Sequence, residues 1–185
     1  MRVAYLPDGE LIRLTGGREI ESVVPHCESP SVESALLAYV AQLDQPEKIL
    51  VFSNARLRVD ALALQLRPML EKLGYVVCAH HGSLAQRQRE ASEVAAKTER
   101  AVVVFATSTL EIGIDIGDID LVVLDGPAPD VPALLQRVGR GNRRTERTRV
   151  MACAGSLAEA LIQSAMLSAA RDSYLGPIER GSHFA

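Results

Sequence analysis

Residues 48–56 read KILVFSNAR. The first five are almost continuously apolar, as a strand buried on both faces of a sheet requires. Ser53-Asn54 ends the run, and residues 55–73 then read as a long helix closed by Gly74. The same unit repeats downstream. Residues 75–79 form a second buried strand, His80-His81-Gly82-Ser83 a turn, and residues 84–97 a helix that Ser83 is placed to cap. Residues 101–106 (AVVVFA), 120–124 and 148–154 supply three further strands; residues 131–138 and 156–170 supply helices. Upstream, Val32, Ala35, Leu36, Tyr39, Val40 and Leu43 recur at spacings of three and four, one face of a helix over residues 31–43 with Ser31 or Ser29 as its N-cap. Strand and helix alternate, which predicts an α/β fold: three layers, with a mostly parallel sheet between helices on both faces.

The ends of the chain read differently. Residues 1–30 carry short β-prone pieces around Pro7-Asp8-Gly9, a turn signal because proline presets φ and glycine accepts positive φ. We expect a small hairpin or linker there, a core domain over residues 31–170, and a loose tail over residues 171–185. The chain of 185 residues suits one domain, and 48% hydrophobic residues provide its core. A net charge of -3 means that any positive patch is local. Cys27, Cys78 and Cys153 are scattered and odd in number, which points to reduced thiols, not a disulfide framework or a zinc site. No apolar run approaches the roughly 18 residues of a membrane span, and the first ten residues lack the apolar core of a signal peptide. The expected setting is therefore the cytoplasm, with no membrane partner.

In parallel sheets ligands gather beyond the carboxyl ends of the strands. The residues that follow each strand should thus converge: Ser53-Asn54, residues 80–83, residues 106–109, and Asp125 onward. Ser53 and Asn54 stand beside a helix N-terminus, where they either cap the helix or help hold an anion. His80-His81-Gly82 lacks the further ligands of a metal site and the orienting partner of a general base. A turn lining a polynucleotide groove fits it better. Thr107, Ser108 and Thr109 put three hydroxyls after a buried strand, suited to backbone phosphates. Asp115, between Gly113 and Gly117, either caps a turn or accepts hydrogen bonds from ribose hydroxyls.

Residues 134–144 read LLQRVGRGNRR. Arg137, Arg140 and Arg143 are three apart, neighbouring positions on a helix face. They are read as a phosphate-facing cluster of guanidinium forks or as a solvated basic helix end.

In this order and spacing the stretches ILVFSNARLRVDAL, AHHGSL, ATSTLEIGIDIGDIDLVV and LLQRVGRGNRR resemble the second RecA-like domain of a superfamily-2 helicase, related to DEAD/DEAH-box enzymes and nearest to large Lhr-type helicases. The likeness covers residues 48–154. It implies a RecA-like (P-loop NTPase-like) domain. It implies that Ser53, Asn54, His81, Gly82, Thr107 and Ser108 face a nucleic-acid backbone. Gly113, Asp115, Gln136 and Arg137 would then border ATP, and Arg140 and Arg143 match arginine fingers that reach its γ-phosphate. Gln136 stands where DEAD-box relatives carry His, and Asn142 where many carry Gly.

The chain contains no GxxxxGK[ST] and no Asp-Glu pair placed to hold magnesium and water. ATP would be shared with an N-terminal RecA-like ATPase domain that also holds Mg2+, so negligible ATPase activity is expected of this chain alone. Single-stranded DNA or RNA is the expected polymer, held through backbone contacts since the chain has no Trp and only four Tyr and three Phe for stacking. Two other classes stay open. A stand-alone nucleic-acid-binding or regulatory module derived from a helicase half has no use for Arg140 and Arg143. An unrelated α/β phosphotransferase would need a phosphate loop or acid–base pair that is absent.

Overall fold

The computed structural model describes residues 9–14, 19–23, 31–108, 117–141 and 147–171. Their elements run β1 (Leu11–Arg13), β2 (Glu19–Ser22), α1 (Val32–Ala41), β3 (Lys48–Ser53), α2 (Arg56–Lys72), β4 (Val76–His80), α3 (Gln86–Thr98), β5 (Val102–Ala106), β6 (Leu121–Asp125), α4 (Val131–Val138), β7 (Arg147–Cys153) and α5 (Leu157–Arg171). The sheet order is β1-β2-β7-β6-β3-β5-β4. Only β1 and β2 pair antiparallel; β2–β7, β7–β6, β6–β3, β3–β5 and β5–β4 are parallel.

Side chains alternate across a strand, and here the alternation sorts the core into two halves. Ile49, Val51, Val103, Phe105, Leu121 and Val123 face α1 and α2, where they meet Leu36, Tyr39, Val59, Leu62, Leu66 and Leu70. Leu50, Phe52, Val102, Val104, Val122 and Leu124 face the other way, toward Ala96 of α3, Leu134 and Val138 of α4, and Leu167 and Ala170 of α5. This is the three-layer α/β sandwich expected from strands that are apolar at every position.

Local signals set the helix ends. Ser31 caps α1, its Oγ accepting from Ser34 N at 3.2 Å. Asp130 caps α4, accepting from Ala133 N at 2.7 Å, with Pro132 in the first turn. After α2, Gly74 takes a φ of 84°. Its N–H reaches Glu71 O and that of Tyr75 reaches Leu70 O, both at 3.0 Å, which is a Schellman closure that a Cβ would strain.

One detail departs from the sequence reading. Ser83 does not cap α3. Its Oγ accepts from Arg56 Nη1 at 2.8 Å, and the N-cap is Ala85, whose N–H is taken instead by Gln88 Oε1 at 3.2 Å. The early strands pair Leu11–Arg13 with Glu19–Ser22, and the expected turn at Pro7-Asp8-Gly9 precedes this pair. Residues 15–18 and 1–8 lie outside the described residues. The pair joins the main sheet through β7 and buries Ile12, Leu14 and Ile20 against it. Arg13–Glu19 at 2.9 Å and Arg147–Glu19 at 3.6 Å add a charge ladder across the three strands. Exposed pairs contribute little, so the apolar burial holds the hairpin in place.

Candidate functional site

The carboxyl ends of β3, β6, β5 and β4 lie side by side, and their following turns form one edge. Thr107 N–H donates to His80 O at 3.2 Å, joining two of these turns. Arg56 Nη1 donates to Ser83 Oγ and joins the turn after β3 to the one after β4.

Strand alternation decides which way each polar residue points. Ser53 continues the Val51 side, toward α1 and α2. It is 1% exposed and donates its hydroxyl proton to Asp125 Oδ2 at 2.7 Å. Arg58 Nε donates to that same oxygen at 3.0 Å, and its Nη1 reaches Glu33 Oε1 at 2.8 Å. The hydrogen bond to Asp125 raises the Arg58 pKa, although burial opposes it. Burial pushes the Glu33 carboxyl upward, but hydrogen bonds from its own backbone and from Arg58 outweigh it and leave the pKa below the ordinary value. In this arrangement Ser53 has no proton left for a phosphate; it is a strut beneath the edge.

Asn54 falls on the other side, with Phe52 and α4. It caps no helix, since the N-cap of α2 is Ala55. Its Nδ2 donates to Pro127 O at 2.8 Å, and its Oδ1 accepts from Arg137 Nη2 at 3.0 Å. Arg137 is 1% exposed, and its guanidinium lies over the Phe52 ring at 5.3 Å, a cation–π contact.

The histidines divide in the same way. His80 turns toward α3, its Nε2 3.0 Å from Glu93 Oε1; His81 turns toward α2, its Nε2 2.9 Å from Asp60 Oδ1. Both rings are buried and point to opposite sheet faces. They cannot act together on one ligand. Arg89 of α3 donates from Nη1 to Gly82 O at 3.2 Å and Leu84 O at 2.8 Å, so the turn is held from both sides. Arg56, Gly82, Ser83, Thr107 and Ser108 remain at the surface of the edge, Thr107 half-buried.

The arginine stretch does not form one helix face. α4 ends at Val138, and Gly139 to Gly141 form a turn with Arg140 N–H donating to Arg137 O at 3.1 Å. Arg137 points inward, Gln136 is exposed and Arg140 is half-buried. Gly141 bridges to Ile119, ahead of the start of β6. A Cβ on Gly141 would stand 2.1 Å from Thr148 Cγ2. α4 thus descends the sheet face, with its N-terminus at the carboxyl edge and Arg140 on the lower flank. Gly113, Asp115, Thr109 and Arg143 lie outside the described residues. Among the described residues no group of three or more His, Cys, Asp or Glu is placed to hold a metal ion. No helix among them is long and apolar enough to cross a membrane.

Comparison with known proteins agrees with this geometry. Residues 32–145 match the family described as helicase conserved C-terminal domain. The chain belongs to that family, and it is similar to Lhr-type members of superfamily 2. It is 38% identical over 131 residues to the ATP-dependent helicase Lhr-Core protein 2 of Thermococcus barophilus, and 35% identical over 134 residues to the ATP-dependent helicase Lhr-Core of Sulfolobus acidocaldarius. Each match covers 68% of this chain and 15% of the relative, so the chain spans a small part of their length. Among solved structures it resembles Mycobacterium smegmatis helicase Lhr bound to ssDNA and AMP-PNP, with a TM-score of 0.69, 27% identity, and coverage of 83% of this chain and 21% of that one. The C-terminal domain of the DEAD-box protein Dbp5 shares the fold, with a TM-score of 0.62 and 21% identity, covering 80% of this chain and 79% of that one. The fold is therefore the RecA-like C-terminal domain of helicases.

Sequence reading missed Glu33, Asp60, Glu93 and Arg89, partners that hold the edge together, and placed Asp125 at the edge without its bonds to Ser53 and Arg58. Glu33, Asp60 and Glu93 are single charged residues 13 to 25 positions from the groups they contact, while Arg89 lies five and seven positions from Leu84 and Gly82.

Proposed function

We propose that this chain is the C-terminal motor domain of an ATP-dependent helicase or translocase, working with an N-terminal RecA-like ATPase domain. Its carboxyl edge meets the backbone of single-stranded DNA or RNA, and its lower flank meets ATP. The observation that carries this reading is the course of α4, which ties the edge at Asn54 and Pro127 to the turn bearing Arg140.

At the edge, Thr107, Ser108, Gly82 and the Arg56–Ser83 pair supply hydroxyls, an amide and a guanidinium toward phosphates, which suits binding without base readout. Ser53 and His81 act from beneath and Asn54 from the surface, all three fixing the turns that carry those groups. On the flank, Arg140 and Arg143 act as arginine fingers toward the γ-phosphate, while Gly113, Asp115 and Gln136 border the nucleotide and Arg137 links that border to the edge. Bound ATP, with Mg2+ held by the N-terminal domain, bridges the two domains and supplies the energy of closure. Repeated closure around the nucleotide carries both domains along one strand.

We place the boundaries of the motor domain at about residues 31 and 170, with the preceding hairpin as an extension of its sheet and the last residues as a tail, and its working place in the cytoplasm. The test is ATP turnover by the purified chain, alone and with an N-terminal RecA-like domain added in trans. Turnover is expected only from the pair, and more of it with a single-stranded oligonucleotide. Turnover by the chain alone contradicts the reading.

A further inference from the structure

We infer that Asn54 is a positioning residue that couples the strand-facing edge to the arginine turn; this rests on the motor reading above. Its amide is gripped on both sides, by a carbonyl acceptor at Pro127 (2.8 Å) and a guanidinium donor at Arg137 (3.0 Å). Those two partners demand opposite ends of the amide, so its orientation is fixed by chemistry. A carboxylate in its place loses the donor, and an alkyl group loses both contacts.

The partners belong to two parts of one lever. Pro127 lies in the loop that leads from β6 into α4, and Arg137 lies in the last turn of α4. A helix of eight residues is a rod of about 12 Å. Helical side chains lean toward the N-terminus, which lets Arg137 reach back from the lower end to the edge. Phe52, the last apolar residue of β3, supports the guanidinium from below. Asn54 itself belongs to the turn whose next residue but one, Arg56, stands exposed on the edge. A shift of this turn when a strand binds is thereby passed to both ends of α4 at once. Arg140, whose N–H is bonded to Arg137 O at 3.1 Å, moves with it.

The experiment measures ATP turnover by this chain paired with an N-terminal RecA-like domain, with and without a single-stranded oligonucleotide. For Asn54→Ala the ratio of stimulated to unstimulated kcat falls about tenfold, within the range usual for coupling between sites. Asn54→Asp keeps an acceptor for Arg137 and releases Pro127, so it preserves the fold and gives a ratio between the two. A ratio unchanged in Asn54→Ala, or equal to the unsubstituted value in Asn54→Asp, overturns the inference and leaves the motor reading standing. So does a parallel fall of both rates, the mark of lost structure alone. Absence of stimulation in the unsubstituted pair overturns the motor reading, and the inference with it.

Discussion

Arg58 meets Asp125 at two points, Nε to Oδ2 at 3.0 Å and Nη2 to Oδ1 at 3.4 Å, across 67 residues of sequence. The same Oδ2 accepts the Ser53 hydroxyl, so one carboxylate fixes the ends of β3 and β6 and the first turn of α2. Removing it strands a buried hydroxyl. Asp125→Ala is expected to cost about 1–3 kcal/mol, the usual penalty for leaving a buried polar group unpaired. Ser53→Ala combined with it should cost less than the sum of the two single changes. Equilibrium denaturation in urea of the four variants checks this.

Glu33 gives the fold a dependence on acid. Its folded pKa is lower than its ordinary value, with burial opposing and hydrogen bonds from its own backbone and Arg58 prevailing. The stability it contributes is full above the ordinary carboxylate pKa and is lost as pH falls through the lowered folded value. Glu33→Gln should therefore show a shallower loss of stability on acidification than the unsubstituted chain. Melting temperatures between neutral pH and about pH 3, across the usual carboxylate range, would display the difference, and parallel curves would count against it.

Gly141 is held by contact, not by backbone conformation. A Cβ there would lie 2.1 Å from Thr148 Cγ2 and 3.2 Å from Thr148 Cβ. Gly141→Ala should destabilise by about 1–3 kcal/mol, as overpacking does. Thr148→Ser removes the offending methyl group and should recover part of that loss. A double-mutant cycle by denaturation reads the coupling directly.

Arg56 is an exposed cation of the carboxyl edge. If it faces a phosphate, Arg56→Gln should weaken binding of unrelated single-stranded sequences equally. It should also lower the slope of log affinity against log salt by about 0.7, the contribution of one phosphate contact on a single strand. Fluorescence anisotropy over a salt series provides both numbers. A sequence-selective loss would place Arg56 on bases instead.

The sheet was legible because its strands are apolar at consecutive positions, Ile49 to Phe52 and Val102 to Ala106, while the intervening helices keep a spacing of three and four. The shared edge was legible too, since the post-strand turns of the parallel strands lie along it. Side-chain direction was not. Ser53 and Asn54 look alike as polar turn residues, yet period-2 alternation sends one to Asp125 and the other to Arg137. His80 and His81 part in the same way. The spacing of Arg137, Arg140 and Arg143 suggested one helix face, but Gly139 follows directly on the end of α4. Where a helix stops depends on tertiary contacts such as Gly141 against Thr148, which no local pattern records.

The motor reading requires that a guanidinium from this chain act on nucleotide held by another domain. The most direct measurement is the kcat for ATP of the two-domain assembly carrying Arg140→Ala, with single-stranded oligonucleotide saturating. A fall of about 10³-fold or more, as for arginine fingers supplied across an interface, is the predicted result. A kcat within a few-fold of the unsubstituted assembly would contradict it.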